Sequence, residues 1–199
     1  MNVQAYDIAK LKEAQGNRLD STSDFWMQAE QLQKELLQQG KKACYIFLDL
    51  ENFRFINMQG DISEGAHLLT EVSALIHQTF PDALITRGAS IQFAVVTGVP
   101  DVRERLIHLH KKALSLRSNN QLDLKAGIFI VSNPQISPIT ASDYAKAACA
   151  HIKKDYQAVY REYDEDLQKH LAIDHYVVTH LEEALKNHDI KVFFQPIIR

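Results

Sequence analysis

The sequence predicts an α/β domain built on a central, mainly antiparallel sheet with helices packed on it, and three observations carry that expectation. Segments rich in β-branched and aromatic residues alternate with amphipathic helical segments in the order strand, helix, hairpin, helix, strand, helix, strand. Two of the β-rich runs are separated by only four residues, which joins them as an antiparallel hairpin. Of the 199 residues 46% are hydrophobic, enough to bury one main core.

Each element has its own signal. From Tyr6 to Gln15, Ile8, Leu11 and Ala14 recur every three residues, which predicts a short amphipathic linker helix. Ser21, Thr22, Ser23 and Asp24 offer capping side chains ahead of a helix over Phe25 to Gln39. Phe25, Ala29, Leu32 and Leu36 form its apolar face, and Gly40 closes its C-terminus. Ala43 to Leu50 reads as a buried strand. Ser63 to Phe80 reads as a helix turning Leu68, Leu69, Val72, Leu75 and Ile76 inward. Ala83 to Thr86 and Ile91 to Thr97 are the hairpin strands, joined by Arg87, Gly88, Ala89 and Ser90. A helix over Asp101 to Arg117 follows, then a turn at Asn119 and Asn120 and a strand over Leu122 to Val131. The remaining elements are a helix over Thr140 to Tyr156, a short strand within Ala158 to Tyr163 and a long helix over Glu165 to Asn187. There is no internal repeat.

Composition removes several classes of function. Lys and Arg total 22 against 25 for Asp and Glu, so no strong positive field gathers phosphate backbones or anionic lipid, and a general nucleic-acid or membrane-surface role is not expected. Cys44 and Cys149 lie far apart, without CxxC spacing. They read as two buried thiols in a reducing cytoplasm rather than as a disulfide or zinc site. The apolar runs Ala43 to Leu48 and Gly127 to Val131 are far shorter than a bilayer span. His108 and His110 are two apart on a predicted helix and point apart, and His175 and His180 are five apart; neither spacing suits a metal. Lys111, Lys112, Lys153 and Lys154 form short pairs of the kind found on solvated helix faces.

The most site-like stretch is FLDLENFRFINMQGDISEG, where Asp49 and Glu51 stand at the end of the first strand and Asn57 in the loop beyond. Carboxylates two apart on a strand point the same way and can share a hard cation such as magnesium; the alternative is that both are solvated strand-end charges. Ungapped, LDLENFRFINMQGDISEGAHLL resembles the first signature of GGDEF diguanylate cyclases, DxDxFKxxNDxxGHxxGDxxL. Asp49, Phe53, Asn57, Gly65 and Leu69 match, and Glu51 and Arg54 are conservative replacements. Met58, Asp61, Ile62 and Ala66 depart from it, Ala66 replacing the Asp that would share guanine recognition with Asn57.

Arg87 to Thr97, RGASIQFAVVT, is similar to the hairpin that names the family, RxGGDEFAVLL. Arg87, Phe93, Ala94 and Val95 keep its frame, while Ala89, Ser90, Ile91 and Gln92 stand in place of Gly, Gly, Asp and Glu. Side chains at Ala89 and Ser90 crowd the approach that paired glycines permit, and Ile91 cannot ligate a metal. Ala145 to Gln157 resembles a third signature, ADxAxYxAKxxGR. Lys153 takes the phosphate-contacting Lys position, and Gln157 replaces the phosphate-contacting Arg. Phe80 to Ala83, FPDA, falls where the family's inhibitory RxxD motif would be.

The resemblance implies a nucleotide-cyclase-like sheet and candidate vestigial sites: Phe53, Arg54, Asn57 and Lys153 for nucleotide, and Asp49 and Glu51 for metal. Active members use two metal ions on the GTP triphosphate, held by carboxylates on both strands. With Ile91 and Gln92 in the hairpin an inactive cyclase is expected, one that requires no cofactor and binds magnesium with GTP weakly if at all.

LEEALKNHDIKVFFQPIIR is similar to the start of an EAL-type phosphodiesterase domain, with Val192 to Ile198 as its first strand, and YDIAKLKEAQ to the exit of PAS-type sensor domains. The expected layout is a linker helix over residues 1–22, a degenerate GGDEF-like domain over 23–163, a connecting helix over 164–190 and the first strand of a truncated EAL-like domain over 191–199. The usual DxLTGLxNR opening is replaced by DSTSDF. A longer, cytoplasmic parent protein is expected, in which this domain relays an upstream signal or GTP occupancy to the EAL-type domain. The alternative is a structural, homodimerising module that binds no nucleotide.

Overall fold

Alternation along the central strand decides the architecture. In the computed structural model, which describes residues 22–53, 62–88, 91–116, 122–153 and 155–193, strand β1 (Cys44–Glu51) is buried along all but its last residue. Ile46, Leu48 and Leu50 enter one hydrophobic cluster and Tyr45 and Phe47 another, one on each side of the sheet. A strand with two apolar faces needs cover on both. Helices α2 (Ile62–Thr79) and α3 (Val102–Ser115) supply Leu68, Val72, Ile76, Leu106 and Leu109 to the first cluster. Helices α1 (Thr22–Gln38) and α4 (Pro138–His151) supply Phe25, Ala29, Leu36, Ala141, Ala145 and Cys149 to the second.

The other strands are β2 (Leu84–Arg87), β3 (Gln92–Thr97), β4 (Asp123–Ile130) and β5 (Tyr160–Glu162). The sheet order is β2-β3-β1-β4-β5. Every pairing is antiparallel except β4 with β5, which is parallel and reached through α4. The expected mixed fold with a mainly antiparallel sheet is the observed one, with the hairpin where its four-residue spacer placed it.

Helix limits differ from the sequence expectation in two informative places. α1 begins at Thr22, three residues early, which puts Asp24 in its first turn, where a carboxylate suits the positive end of the helix. Its end is as expected: Gly40 has φ +70°, its N–H reaches Leu37 O at 3.0 Å, and that of Lys41 reaches Leu36 O at 2.9 Å. That pair of bonds satisfies carbonyls the helix leaves open. α4 starts at Pro138 behind a Ser137 cap, whose Oγ accepts the Thr140 N–H at 3.1 Å. It ends at His151, five residues before Tyr156, so Lys153 lies in a turn rather than on a helix.

Gly127 of β4 is where α4 comes closest to the sheet. A Cβ there would fall 1.8 Å from Ala145 O and 2.4 Å from Cys149 N. Direct contact of helix backbone with strand backbone draws the end of α4, and the turn after it, down beside the end of β1.

The chain divides into two compact units, Met1–Tyr163 and Asp164–Arg199. The second contains helix α5 (Glu165–Lys186), capped by Asp164, whose carboxylate accepts the Leu167 N–H at 2.8 Å. Lys191 to Phe193 have no regular structure. Residues 194–199, most of the expected EAL-type strand, and the expected linker helix over Tyr6 to Gln15 lie outside the described residues. No helix among the described residues is long and apolar enough to cross a membrane.

Candidate functional site

Three side chains stand in a row across the sheet where β1 ends. Asp49 is directly opposite Gln92 of β3 on one side and Lys125 of β4 on the other, and opposed residues in an antiparallel pair project from the same face. Two residues on, Glu51 is opposite Asp123. All of them lie on the α1/α4 side, because β1 alternates and Leu48 and Leu50 take the other side.

Asp49 is only 2% exposed, so its charge needs partners. Its Oδ2 accepts Lys153 Nζ at 2.5 Å and Gln92 Nε2 at 3.3 Å. The same ammonium lies 3.3 Å from Glu51 Oε1. The two carboxylates share one cation among the described residues, the ammonium of Lys153. Hydrogen bonding to Asp49 raises the Lys153 pKa above the ordinary lysine value, against the opposing effect of burial. Beneath the pair, burial pushes the Cys149 thiol up to about 12, with the Asp49 charge adding to the effect. It is a neutral packing group and no nucleophile.

Lys125 explains why Lys153 can reach. It is 1% exposed, and its Nζ donates to Asp155 O at 2.7 Å and Ala158 O at 2.6 Å while pairing with Asp123 Oδ2 at 3.0 Å. One ammonium thus ties down the segment after α4 at two carbonyls, ends the helix early and sets Lys153 above Asp49. His110 completes this corner, with Nδ1 3.0 Å from Leu124 O and 3.6 Å from Asp123 Oδ1, the latter oxygen being buried with no hydrogen-bond partner among the described residues.

The structure brings together Asp49, Glu51, Gln92 and Lys153 among the residues marked out by sequence. Phe53 it places elsewhere: at 5% exposure it packs in the α2/α3 cluster, and Asn52, at φ 65°, turns the chain out of β1 to seat it there. As a candidate nucleotide contact Phe53 is therefore corrected to a core residue. Lys153, weighed as a solvated helix charge, is neither helical nor unpaired. Phe93 is core at 1% exposure, and Ile91 packs against the same cluster while its carbonyl accepts the Leu50 N–H at 3.3 Å. Arg54, Asn57, Ala89 and Ser90 lie outside the described residues. Sequence reasoning missed Lys125 and Asp123, although a Lys amid the apolar run of LDLKAGIFI was a visible sign of a buried, partnered cation.

No protein-family model and no curated protein sequence matches the chain. Its likeness to solved structures is extensive. The active GGEEF domain of a diguanylate cyclase from Vibrio cholerae superposes with a TM-score of 0.61, over 74% of this chain and 99% of that one, at 16% identity. For the GGDEF domain of DgcB from Caulobacter crescentus, solved with c-di-GMP, the TM-score is 0.59 over 68% and 86%, at 18% identity. The chain has the fold of a GGDEF domain. An EAL/GGDEF domain protein from M. capsulatus gives 0.52 over 67% and 97%, at 20% identity. Within this GGDEF fold the segments that resemble the first two signatures meet side by side, with Asp49 and Gln92 in register, and the segment resembling the third brings Lys153 to the same point.

Proposed function

We propose that this chain is a catalytically inactive GGDEF-like regulatory domain of a cyclic di-GMP signalling protein, relaying an upstream signal or GTP occupancy to an EAL-type phosphodiesterase domain of the same parent chain. The observation that carries the reading is the position of Lys153. Its ammonium lies against both surviving carboxylates, where active cyclases need divalent cations. A magnesium ion at Asp49 Oδ2 would meet a like charge, and Gln92 opposite offers an amide where a second carboxylate is needed. The residues present do not fit a two-metal centre, and GTP with magnesium binds weakly if at all.

The expected outcome with GTP and magnesium is no cyclic di-GMP. Calorimetry with GTP, magnesium and ATP as specificity control decides how the regulation works. Saturable GTP-selective heats support a sensor, and in that case Asn57→Ala abolishes the response while leaving the fold intact. Absence of heat at millimolar nucleotide supports a second reading, a structural or dimerising module, which is favoured by the same ion pair because Lys153 is already engaged.

A further inference from the structure

At the other end of the sheet from Asp49 lies a cavity of about 420 Å³. It opens where β1 begins, and Cys44 and Asp49 are five residues apart on one strand, about 17 Å. Its volume falls in the range of small-molecule sites, about 300–1,000 Å³. Cys44, Ile128, Ile130 and Val102 make an apolar floor. Burial pushes the Cys44 thiol up to about 12, so this floor carries no charge at neutral pH. Charge is confined to Lys41, Lys42, Arg103 and Glu162.

Those four charges do not cancel. Arg103 Nε donates to Glu162 Oε1, which neutralises the one carboxylate lining the cavity. Lys41 and Lys42 are exposed and make no ion pair among the described residues, so two positive charges remain in a chain whose formal net charge is −3. The first turn of α3 forms another wall, and the Asp101 carboxylate at its N-cap accepts Arg105 Nε at 2.9 Å rather than a helix N–H.

We propose that this cavity binds a small organic anion, its apolar body seated on the Cys44, Ile128 and Ile130 floor and its phosphate or carboxylate group held by Lys41 and Lys42. The site uses none of the residues around Asp49, so it stands or falls independently of the regulatory reading above. Both parts of the ligand are required. An anion without an apolar body leaves the floor hydrated, and a neutral molecule leaves two lysines unanswered.

The test is an NMR titration of the full ¹⁵N-labelled chain with phenyl phosphate, set against inorganic phosphate and benzyl alcohol. Saturable shifts are expected at the amides of Val99, Val102 and Arg103, with each comparison compound at least about fivefold weaker. Replacing Lys41 and Lys42 together by Glu, at exposed positions where the fold is insensitive, weakens phenyl phosphate by at least about fivefold. Glu162→Gln frees Arg103 and tightens binding by about threefold. Absence of saturable shifts at those amides, or affinities unchanged in the double lysine variant, overturns the proposal.

Discussion

Replacing Lys153 by Met removes the ammonium that pairs with Asp49 while keeping most of the side chain's bulk. Breaking a fully buried ion pair costs about 3–5 kcal/mol, and an exposed one contributes about 0.2–1 kcal/mol. This pair is mixed, with the Asp49 side chain 2% and the Lys153 side chain 40% exposed. Gln92 keeps one donor on the stranded carboxylate. The expected loss is therefore about 2 kcal/mol, or about 4–8 °C in Tm for a chain of this size. Urea unfolding followed through Trp26, the single tryptophan, measures it in the domain that matters. Asp49→Asn in the same background should recover most of the loss, giving a coupling of about 1.5 kcal/mol in the double-mutant cycle. Because the folded-state pKa of Lys153 is raised, this coupling is full below the unfolded lysine value of about 10.4 and is lost as pH rises through the folded one. A coupling below about 0.5 kcal/mol at neutral pH would refute the view that the protein supplies its own counter-cation here.

Four further outcomes follow from the same geometry. Lys125→Met leaves the Asp155 and Ala158 carbonyls and the Asp123 carboxylate without their donor; a loss of about 3–4 kcal/mol is expected, with faster hydrogen exchange over the segment that carries Lys153. Gly127→Ala puts a methyl group into the backbone of α4, so little folded protein should be recovered and circular dichroism should show it. Gln92→Glu sets a second carboxylate opposite Asp49, which should cost about 1 kcal/mol without metal and be recovered in millimolar magnesium, read as a shift in Tm. Cys44 and Cys149, both buried with thiols pushed up to about 12, should react with Ellman's reagent at pH 8 only after unfolding.

Much of the fold was legible because its signals are local. The apolar runs of β1 and β4, the short spacer between β2 and β3 and the Gly40 stop are each readable within a dozen residues. The end of α4 was not, because helical spacing continues past His151 while Lys125, on a neighbouring strand, claims the carbonyls at Asp155 and Ala158. The candidate site was half legible. Asp49 and Glu51 announced themselves by their spacing, and Lys153 through the resemblance of its segment to a family signature. Their union did not, since Lys153 and Asp49 are 104 residues apart, and only the register of three strands and the close seat of α4 on Gly127 bring them together. Phe53 was misread for a related reason. A motif position says nothing of the direction in which Asn52, at positive φ, turns the chain.

The same contrast frames the functional reading. Gln92 stands where the resemblance puts a metal ligand, and in the fold it donates its amide to the Asp49 carboxylate. An arrangement in which Asp49, Gln92, Lys153 and Glu51 satisfy one another is stable without a bound ion, as the proposed regulatory reading requires.

The most direct test of that account is formation of cyclic di-GMP from GTP by the purified chain with magnesium or manganese, alongside an Asp49→Ala control. The account predicts no product above that control at any metal concentration; product that depends on Asp49 would contradict it.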